Sequence, residues 1–167
     1  MKKDNVYEFF RRLEERGPEP KGELDYTNPY TLLVAVALSA QATDIGVNRA
    51  TKGLFKVVAT PQEMLNLGED KLKQHIKTIG LFNTKAKNVI KAAQMLVDNF
   101  DGLVPKNRED LEKLNGVGRK TANVVLNMAF GQPTIAVDTH LFRVSNRTKM
   151  APGKTPLAVE LKLEKKI

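Results

Sequence analysis

One short string restricts the fold of this chain more than any other segment of its 167 residues. Residues 111–125 read LEKLNGVGRKTANVV, with Gly116 and Gly118 on either side of Val117. Leucines precede the glycines and small apolar residues follow them, so the string predicts two helices packed around a tight turn. Glycine permits such a turn and lets the backbone approach a ligand without a Cβ in the way. We expect Val117 to point inward and to fix this hairpin, which spans about residues 105–125.

The rest of the chain also carries the start and stop signals of helices. A capping side chain precedes a proline at residues 28–29 and 155–156, and residues 60–63 (TPQE) form a capping-box pattern. Residues 30–38 (YTLLVAVAL) are apolar on nearly all sides, as in a buried central helix. Because no β-hairpin alternation occurs elsewhere, we predict an all-α fold. The glycines expected to end helices are Gly17, Gly68, Gly80, Gly102, Gly131 and Gly153.

The charge balance points to a polyanionic partner. The chain has 27 Lys plus Arg against 19 Asp plus Glu, a formal charge of +8 and a sequence pI of about 9.7. Such an excess favours nucleic acid first, with an acidic membrane surface as the rival. No apolar run approaches the roughly 20 residues that span a bilayer. The opening residues have scattered charges and no apolar core, so they do not form a secretory signal.

Cysteine is absent from the sequence. Disulfides, zinc–thiolate sites and iron–sulfur clusters therefore have no ligands here, and we expect neither a metal nor a cofactor. A reducing cytosolic setting is compatible with this composition.

The start of the second hairpin helix carries the candidate chemistry. Free N–H groups at a helix N-terminus accept a phosphate, and Arg119 and Thr121 are expected to join that contact. Lys120 lies between them, and Asp138 follows 18 residues later. An amine and a carboxylate near such a turn are what an enzyme that displaces a base from a sugar needs. The alternatives are an ordinary helical corner, a Lys120 that binds only phosphate, and an Asp138 that only caps a helix.

A faint internal repeat accompanies the hairpin. Residues 80–90 (GLFNTKAKNVI) align with residues 115–125 at an offset of 35, so that Lys85 matches Lys120. The first copy lacks the paired glycines and a following aspartate. We therefore interpret Lys85 as a phosphate contact or a solvated charge.

Four segments together resemble a known family. They are LSAQATD (38–44), IGLFNTKAKNVI (79–90), LEKLNGVGRKTANVV (111–125) and PTIAVDTHLFRVSNR (133–147). These strings are similar to the endonuclease III family of helix–hairpin–helix DNA glycosylases, and the likeness covers nearly the whole chain. The resemblance implies base-excision repair of double-stranded DNA with damaged or abasic sites, in the bacterial cytoplasm at the nucleoid.

The resemblance also implies roles for individual residues. Lys120 matches the family's catalytic lysine, which forms a Schiff base with the sugar and cuts the strand by β-elimination. Asp138 matches the catalytic aspartate. Gln41, Leu81 and His140 match positions that fill the gap left by a flipped base and wedge the duplex. The open alternatives are local helix-end bonding for Gln41, a core position for Leu81, and packing or phosphate contact for His140.

The family's domain plan implies an unequal division of this chain. Residues 22–132 correspond to a six-helix domain with the hairpin, and residues 1–21 plus 133–167 to an incomplete second helical domain. In the family the second domain continues with a further helix and a four-cysteine loop that holds a 4Fe–4S cluster. Without that helix, we expect exposed apolar residues and self-association. The residues concerned are Leu141, Val144, Leu157, Val159, Leu161 and Leu163.

A second departure from the family is Asn115, which stands where a proline is usual, and asparagine tolerates turn conformations. Three hypotheses follow from the whole sequence. The first is an active glycosylase and abasic-site lyase that removes oxidised pyrimidines. The second is a non-catalytic DNA-binding remnant with an intact hairpin, and the third is a structural helical adaptor, which the pair of Lys120 and Asp138 disfavours.

Overall fold

The computed structural model describes residues 3–20 and 22–167. Within those ranges every regular element is a helix, which confirms the predicted all-α class. The helices, in chain order, are α1 (Lys3–Arg16), α2 (Pro29–Ser39), α3 (Asp44–Leu54), α4 (Pro61–Leu67), α5 (Glu69–Ile76), α6 (Phe82–Phe100), α7 (Arg108–Lys113), α8 (Arg119–Phe130), α9 (Thr139–Arg147) and α10 (Pro156–Glu164).

The chain divides into two compact units. The larger unit is Glu23–Pro133 and the smaller unit combines Met1–Gly22 with Thr134–Ile167. The larger unit holds seven helical segments, α2 to α8, in which α4 and α5 are separated by Gly68. The hairpin between α7 and α8 therefore belongs entirely to the larger unit.

Helix α2 lies at the centre of the larger unit. Eight of its 11 residues are buried, as its almost uniformly apolar sequence predicts. It packs against α3, α6 and α8, while α5 packs against α3 and α6. The largest fully buried side chains of this core are Leu38, Leu54, Met64, Leu72, Ile76, Leu96, Leu111, Leu114 and Leu126.

The predicted helix starts are confirmed by their capping hydrogen bonds. The Asn28 side chain accepts a hydrogen bond of 2.9 Å from the Thr31 N–H at the start of α2. Thr60 and Glu63 form the reciprocal capping box of α4, and the Thr155 hydroxyl caps α10. Each cap provides a partner for an N–H group that the helix itself leaves unpaired.

The smaller unit has a core of its own. Helices α9 and α10 pack together, and the buried residues are Val6, Val137, Met150, Ala151, Val159 and Leu163. The expectation that Val159 and Leu163 are exposed was therefore wrong: both are at most 1% exposed. Val6 of α1 and the turn around Met150 cover them. Val144, Leu157 and Leu161 are exposed as expected, and Leu141 is partly buried against the same cluster.

None of the helices in the described part of the chain combines the length and the apolar character that crossing a membrane requires.

Candidate nucleic-acid interface

The hairpin is held by burial of its valine and leucines in the core of the larger unit. Leu114 is 1% exposed and Val117 is 6% exposed, which confirms that Val117 points inward. The Val117 N–H donates a hydrogen bond of 3.1 Å to the Leu114 carbonyl oxygen, and this bond closes the turn. Helix α8 begins immediately afterwards, with the Ala122 N–H donating to the Gly118 carbonyl oxygen at 2.9 Å. The buried side chains of Leu114 and Val117 therefore fix the backbone of the turn, while its outer face stays exposed.

The two glycines of the hairpin have different structural roles. Gly116 has a φ of +78°, and a Cβ built on it would lie 3.0 Å from the Asn88 Cβ. A side chain at this position would be strained twice, by its backbone conformation and by its neighbour. Gly118 has a φ of −98°, and a Cβ there would meet nothing within 4 Å. Gly116 is thus needed for the turn itself, whereas Gly118 leaves open space at the helix N-terminus.

That N-terminus has the features of an anion site. No side chain caps α8 at Gly118, in contrast to α7, where the Asn107 side chain accepts from the Asp110 N–H. The first turn of α8 contains no acidic residue. The first N–H groups of a helix and its positive dipole end attract phosphate. Arg119 and Thr121 are half-buried beside this end, and Lys120 is exposed between them.

Lys85 requires a correction. It was interpreted as a phosphate contact or a solvated charge, but its side chain is only 9% exposed. Its Nζ donates a hydrogen bond of 2.9 Å to the Leu38 carbonyl oxygen, and burial lowers the pKa of the ammonium group. The sequence contained a signal for this: Lys85 lies one turn before the buried Val89, on the apolar face of α6. The two lysines of the repeat therefore differ, since Lys85 is buried and Lys120 is exposed.

Gln41 and Leu81 share an uncommon backbone conformation. Their φ angles are 56° and 59°, in the left-handed region that residues other than glycine rarely adopt. Asp101 and Lys149 are the other described non-glycine residues with positive φ, and both follow the C-terminal end of a helix. Leu81 instead precedes a helix, and its side chain is 64% exposed, so it is not a core residue. Residues held in this conformation cluster at active sites and ligand contacts, and they also follow helix ends, as Gln41, Asp101 and Lys149 do.

Gln41 and Leu81 line one shallow cavity together with the hairpin. The cavity has a volume of about 200 Å³ and lies in the larger unit. Gly116 contributes the hairpin wall, and Lys85 and Asn88 contribute the wall from α6. The remaining lining residues are Ala37, Ala40, Thr84 and Val89. The structure thus brings together three predicted DNA-contact positions that are distant in sequence: Gln41, Leu81 and Gly116.

Asp138 and His140 lie in the smaller unit, at the start of α9. Asp138 is the N-cap of that helix, and its Oδ1 accepts a hydrogen bond of 2.7 Å from the Leu141 N–H. The capping role considered in the sequence is therefore present. A carboxylate has a second oxygen for another partner, so the cap does not exclude a catalytic role. His140 is exposed in the first turn of α9.

A larger cavity of the larger unit lies elsewhere. It measures about 600 Å³ and is mainly apolar, with Pro29, Leu103 and Phe130 among its lining residues. Pro29 begins α2 and Phe130 ends α8, whereas Gln41 follows α2 and Lys120 begins α8. The large cavity therefore lies at the opposite ends of these two helices. We assign the candidate interface to the smaller cavity instead, because Gln41, Leu81 and Gly116 of the hairpin line it together.

The family's 4Fe–4S cluster does not fit the residues of this chain. The sequence has no cysteine, and the described residues contain no group of three His, Cys, Asp or Glu side chains that could hold a metal ion. No step of the chemistry below is assigned to such a cluster.

Comparisons with known proteins agree with this geometry. Residues 34–167 match the family described as HhH-GPD superfamily base excision DNA repair protein. Endonuclease III of Haemophilus influenzae is 61% identical over 165 residues, which are 99% of this chain and 78% of that protein. Endonuclease III of Escherichia coli K12 is 56% identical over the same shares of the two chains.

A solved structure gives the corresponding likeness in three dimensions. It is the trapped endonuclease III–DNA covalent intermediate, an estranged-adenine complex, with a TM-score of 0.94 and 44% identity. The match covers 100% of this chain and 79% of that one. The chain belongs to the HhH-GPD superfamily of base excision DNA repair proteins and is a homologue of endonuclease III.

Proposed function

We propose that this base-excision repair glycosylase binds damaged or abasic duplex DNA and uses Lys120 to form a Schiff base with the sugar. The observation that carries the proposal is the exposed Lys120 amine in the first turn of α8, next to an uncapped helix N-terminus. The hairpin holds a phosphate while the amine faces the same bound strand. The relatives at 56–61% identity are endonucleases III, and the matched structure is a trapped covalent intermediate of endonuclease III with DNA.

The proposed reaction proceeds through a covalent bond between Lys120 and the sugar. The neutral Lys120 amine attacks C1′ of the damaged nucleotide, and the bond from C1′ to the base breaks with its electron pair leaving on the base, which takes up a proton. The bond from C1′ to O4′ then breaks, O4′ takes its electron pair and the proton that Nζ releases, and the open-chain sugar is left as a Schiff base between Nζ and C1′. Removal of a proton from C2′ then expels the 3′ oxygen and cuts the strand. Water finally hydrolyses the Schiff base and releases the lysine.

Asp138 is proposed as the carboxylate partner in this reaction. Positive charge develops on the sugar as the base leaves, and a fixed negative charge stabilises it. The cap bond from the Leu141 N–H to Oδ1 holds the Asp138 side chain in one orientation. The same carboxylate can take the C2′ proton, which is ordinary general-base chemistry.

Binding is proposed to use contacts that do not read sequence. The N–H groups at the start of α8 and the side chains of Arg119 and Thr121 contact phosphate, with no selection between bases. Gln41 and Leu81 enter the duplex from the shallow cavity and occupy the space of the flipped nucleotide. His140 contacts the strand from the smaller unit. We propose oxidised pyrimidines as substrates and the bacterial cytoplasm, at the nucleoid, as the location.

The test is strand cleavage of a duplex with a single abasic site. The wild-type chain is expected to cut 3′ to the site and to leave the unsaturated aldehyde of β-elimination. Lys120→Gln is expected to abolish cleavage while its affinity for duplex stays within about tenfold, because one phosphate-type contact contributes only roughly 1 kcal/mol. Lys87→Gln changes an exposed lysine of α6 and serves as the matched control. A wild-type chain that binds this duplex without cutting it would instead be a DNA-binding remnant.

A further inference from the structure

Lys85 lies between the two segments that the proposed function sends into the duplex: it bonds Leu81 and a carbonyl group close to Gln41. Its side-chain Nζ donates to the Leu38 carbonyl oxygen at 2.9 Å, three residues before Gln41. Its backbone N–H donates to the Leu81 carbonyl oxygen at 3.0 Å. The backbone bond is the ordinary first hydrogen bond of α6, whose N-cap is Leu81, whereas the side-chain bond ties this first turn to the C-terminal end of α2, just before Gln41.

The side-chain bond has a clear physical cause at the end of α2. The last carbonyl groups of a helix have no partner within the helix, and the last turn of α2 contains no basic residue. The Ser39 hydroxyl donates to the Val36 carbonyl oxygen, and the Ala42 N–H donates to the Ser39 carbonyl oxygen. The Lys85 ammonium bonds the Leu38 carbonyl oxygen and brings a positive charge to the negative end of the α2 dipole.

Burial of the Lys85 ammonium group, which this hydrogen bond requires, also lowers the stability of the folded protein. A buried ammonium group loses most of its hydration, and a hydrophobic side chain of similar length often gives equal or greater stability at such a position. Gln41 and Leu81, on either side of this bond, both have left-handed backbones that need support from their surroundings. The buried lysine is therefore explained poorly by the stability of the core. It is explained better as a support for the backbones of Gln41 and Leu81.

We propose that Lys85 is a positioning residue for damage recognition: it fixes the backbones of Gln41 and Leu81 relative to each other so that both side chains enter the duplex together. This inference rests on the proposed function, because it concerns how that same interface distinguishes damaged from intact DNA. Lys85 lines the same cavity as Gln41 and Leu81, in the wall from α6, and does not itself contact DNA in this scheme.

The test compares Lys85→Met with Lys85→Arg, and with Lys87→Met as the matched control on the exposed face of α6. Methionine keeps the length of the side chain and removes the donor, whereas arginine keeps a charged donor. Each variant is measured for affinity to a duplex with a tetrahydrofuran abasic analogue and to the intact duplex of the same sequence. Fluorescence of 2-aminopurine opposite the analogue reports unstacking, and thermal denaturation reports folding.

We expect Lys85→Met to lose about tenfold in its preference for the analogue and to lose the 2-aminopurine signal, since misplacement of an inserted group by about 1 Å is costly. Its affinity for intact duplex should stay within about twofold, because the hairpin contacts are unchanged. Its Tm should stay within about 4 °C, as expected for the loss of a costly buried charge. Lys85→Arg and Lys87→Met should keep the preference.

Other outcomes would overturn the inference. Unchanged preference in Lys85→Met would show that the bond does not position the two residues. If Lys85→Met loses both Tm and affinity for the intact duplex, Lys85 has a purely structural role. If Lys85→Arg loses the preference for the analogue as strongly as Lys85→Met does, the shape of the side chain matters and its hydrogen bond to Leu38 does not. A wild-type chain with no preference for the analogue would remove the proposed function itself, and this inference with it.

Discussion

At the scale of single residues, backbone conformation separates positions that look alike in sequence. Gly116 and Gly118 are equivalent in a GxG string, yet only Gly116 has a positive φ and a crowded Cβ direction. Lys85 and Lys120 are equivalent in the internal repeat, yet only Lys120 is exposed. Substitutions at these pairs are expected to have unequal effects, and each member serves as the control for the other.

The first prediction concerns the hairpin glycines. Gly116→Ala places a Cβ 3.0 Å from the Asn88 Cβ at a φ of +78°. We expect a loss of roughly 1–2 kcal/mol in the free energy of unfolding and weaker binding to all duplex sequences alike. Gly118→Ala should change the free energy of unfolding by less than about 0.5 kcal/mol, because its Cβ meets nothing and its φ suits alanine. Chemical denaturation and duplex titration measure both effects, and equal destabilisation by the two variants would refute this distinction.

The second prediction separates the two roles of Asp138. Asparagine caps a helix as well as aspartate does, so Asp138→Asn keeps the bond to the Leu141 N–H and removes the charge. We expect cleavage of abasic DNA to fall at least roughly a hundredfold with little change in Tm. Asp138→Ala should in addition lose about 1 kcal/mol of stability with the cap. If Asp138→Asn cleaves at the wild-type rate, the aspartate is a cap and nothing more.

At the scale of helices, local signals were sufficient for most boundaries. The caps at Asn28, Thr60 and Thr155 follow from a side chain and the proline after it, because both act within one turn. The hydrogen bond from Lys85 to Leu38 joins residues 47 positions apart, and no local rule predicts it. The burial of Val159 and Leu163 was missed for the same reason, since it depends on packing with Val6 of α1.

The third prediction uses the capping box of α4. The Ala59 and Thr60 N–H groups donate to the Glu63 carboxylate and lower its pKa from an ordinary value of 4.5. A carboxylate with a lowered pKa stabilises the folded state above its unfolded pKa, and this stabilisation disappears as the pH falls through the folded value. Glu63→Gln should therefore be less stable than wild type at neutral pH, with a difference that narrows as the pH falls below about 4.5.

Glu112→Gln is the control for this pH dependence, because Glu112 is an exposed glutamate of α7 that loses the same charge. Thermal denaturation across the acidic range makes the comparison. A Glu63→Gln deficit that is constant with pH would show that the box acts through geometry and not through the charge of the carboxylate.

At the scale of the whole molecule, the two relevant properties are the division of the chain into two units and its net charge. The larger unit contains the hairpin, Gln41, Leu81 and Lys120, and the smaller unit contains Asp138 and His140. Short sequence motifs predicted the family and these residues, but no motif predicts the left-handed backbones of Gln41 and Leu81. Those conformations depend on how α2, α6 and the hairpin meet, which is a property of tertiary packing.

The fourth prediction follows from the formal charge of +8. Phosphate contacts release condensed counterions, so affinity for intact duplex should fall roughly tenfold or more between about 50 and 200 mM salt. Filter binding or fluorescence anisotropy at several salt concentrations measures the slope. An affinity that does not change with salt would contradict phosphate-based binding by the hairpin.

The most direct test of the central claim is to identify the lysine that becomes attached to DNA. Borohydride reduces a Schiff base between the protein and an abasic duplex to a stable bond, and peptide mass spectrometry of the digested complex locates it. We predict the modification on Lys120 and its loss in Lys120→Gln. A trapped complex that maps to Lys85 or to any other lysine, or one that persists in Lys120→Gln, would show that Lys120 is not the nucleophile.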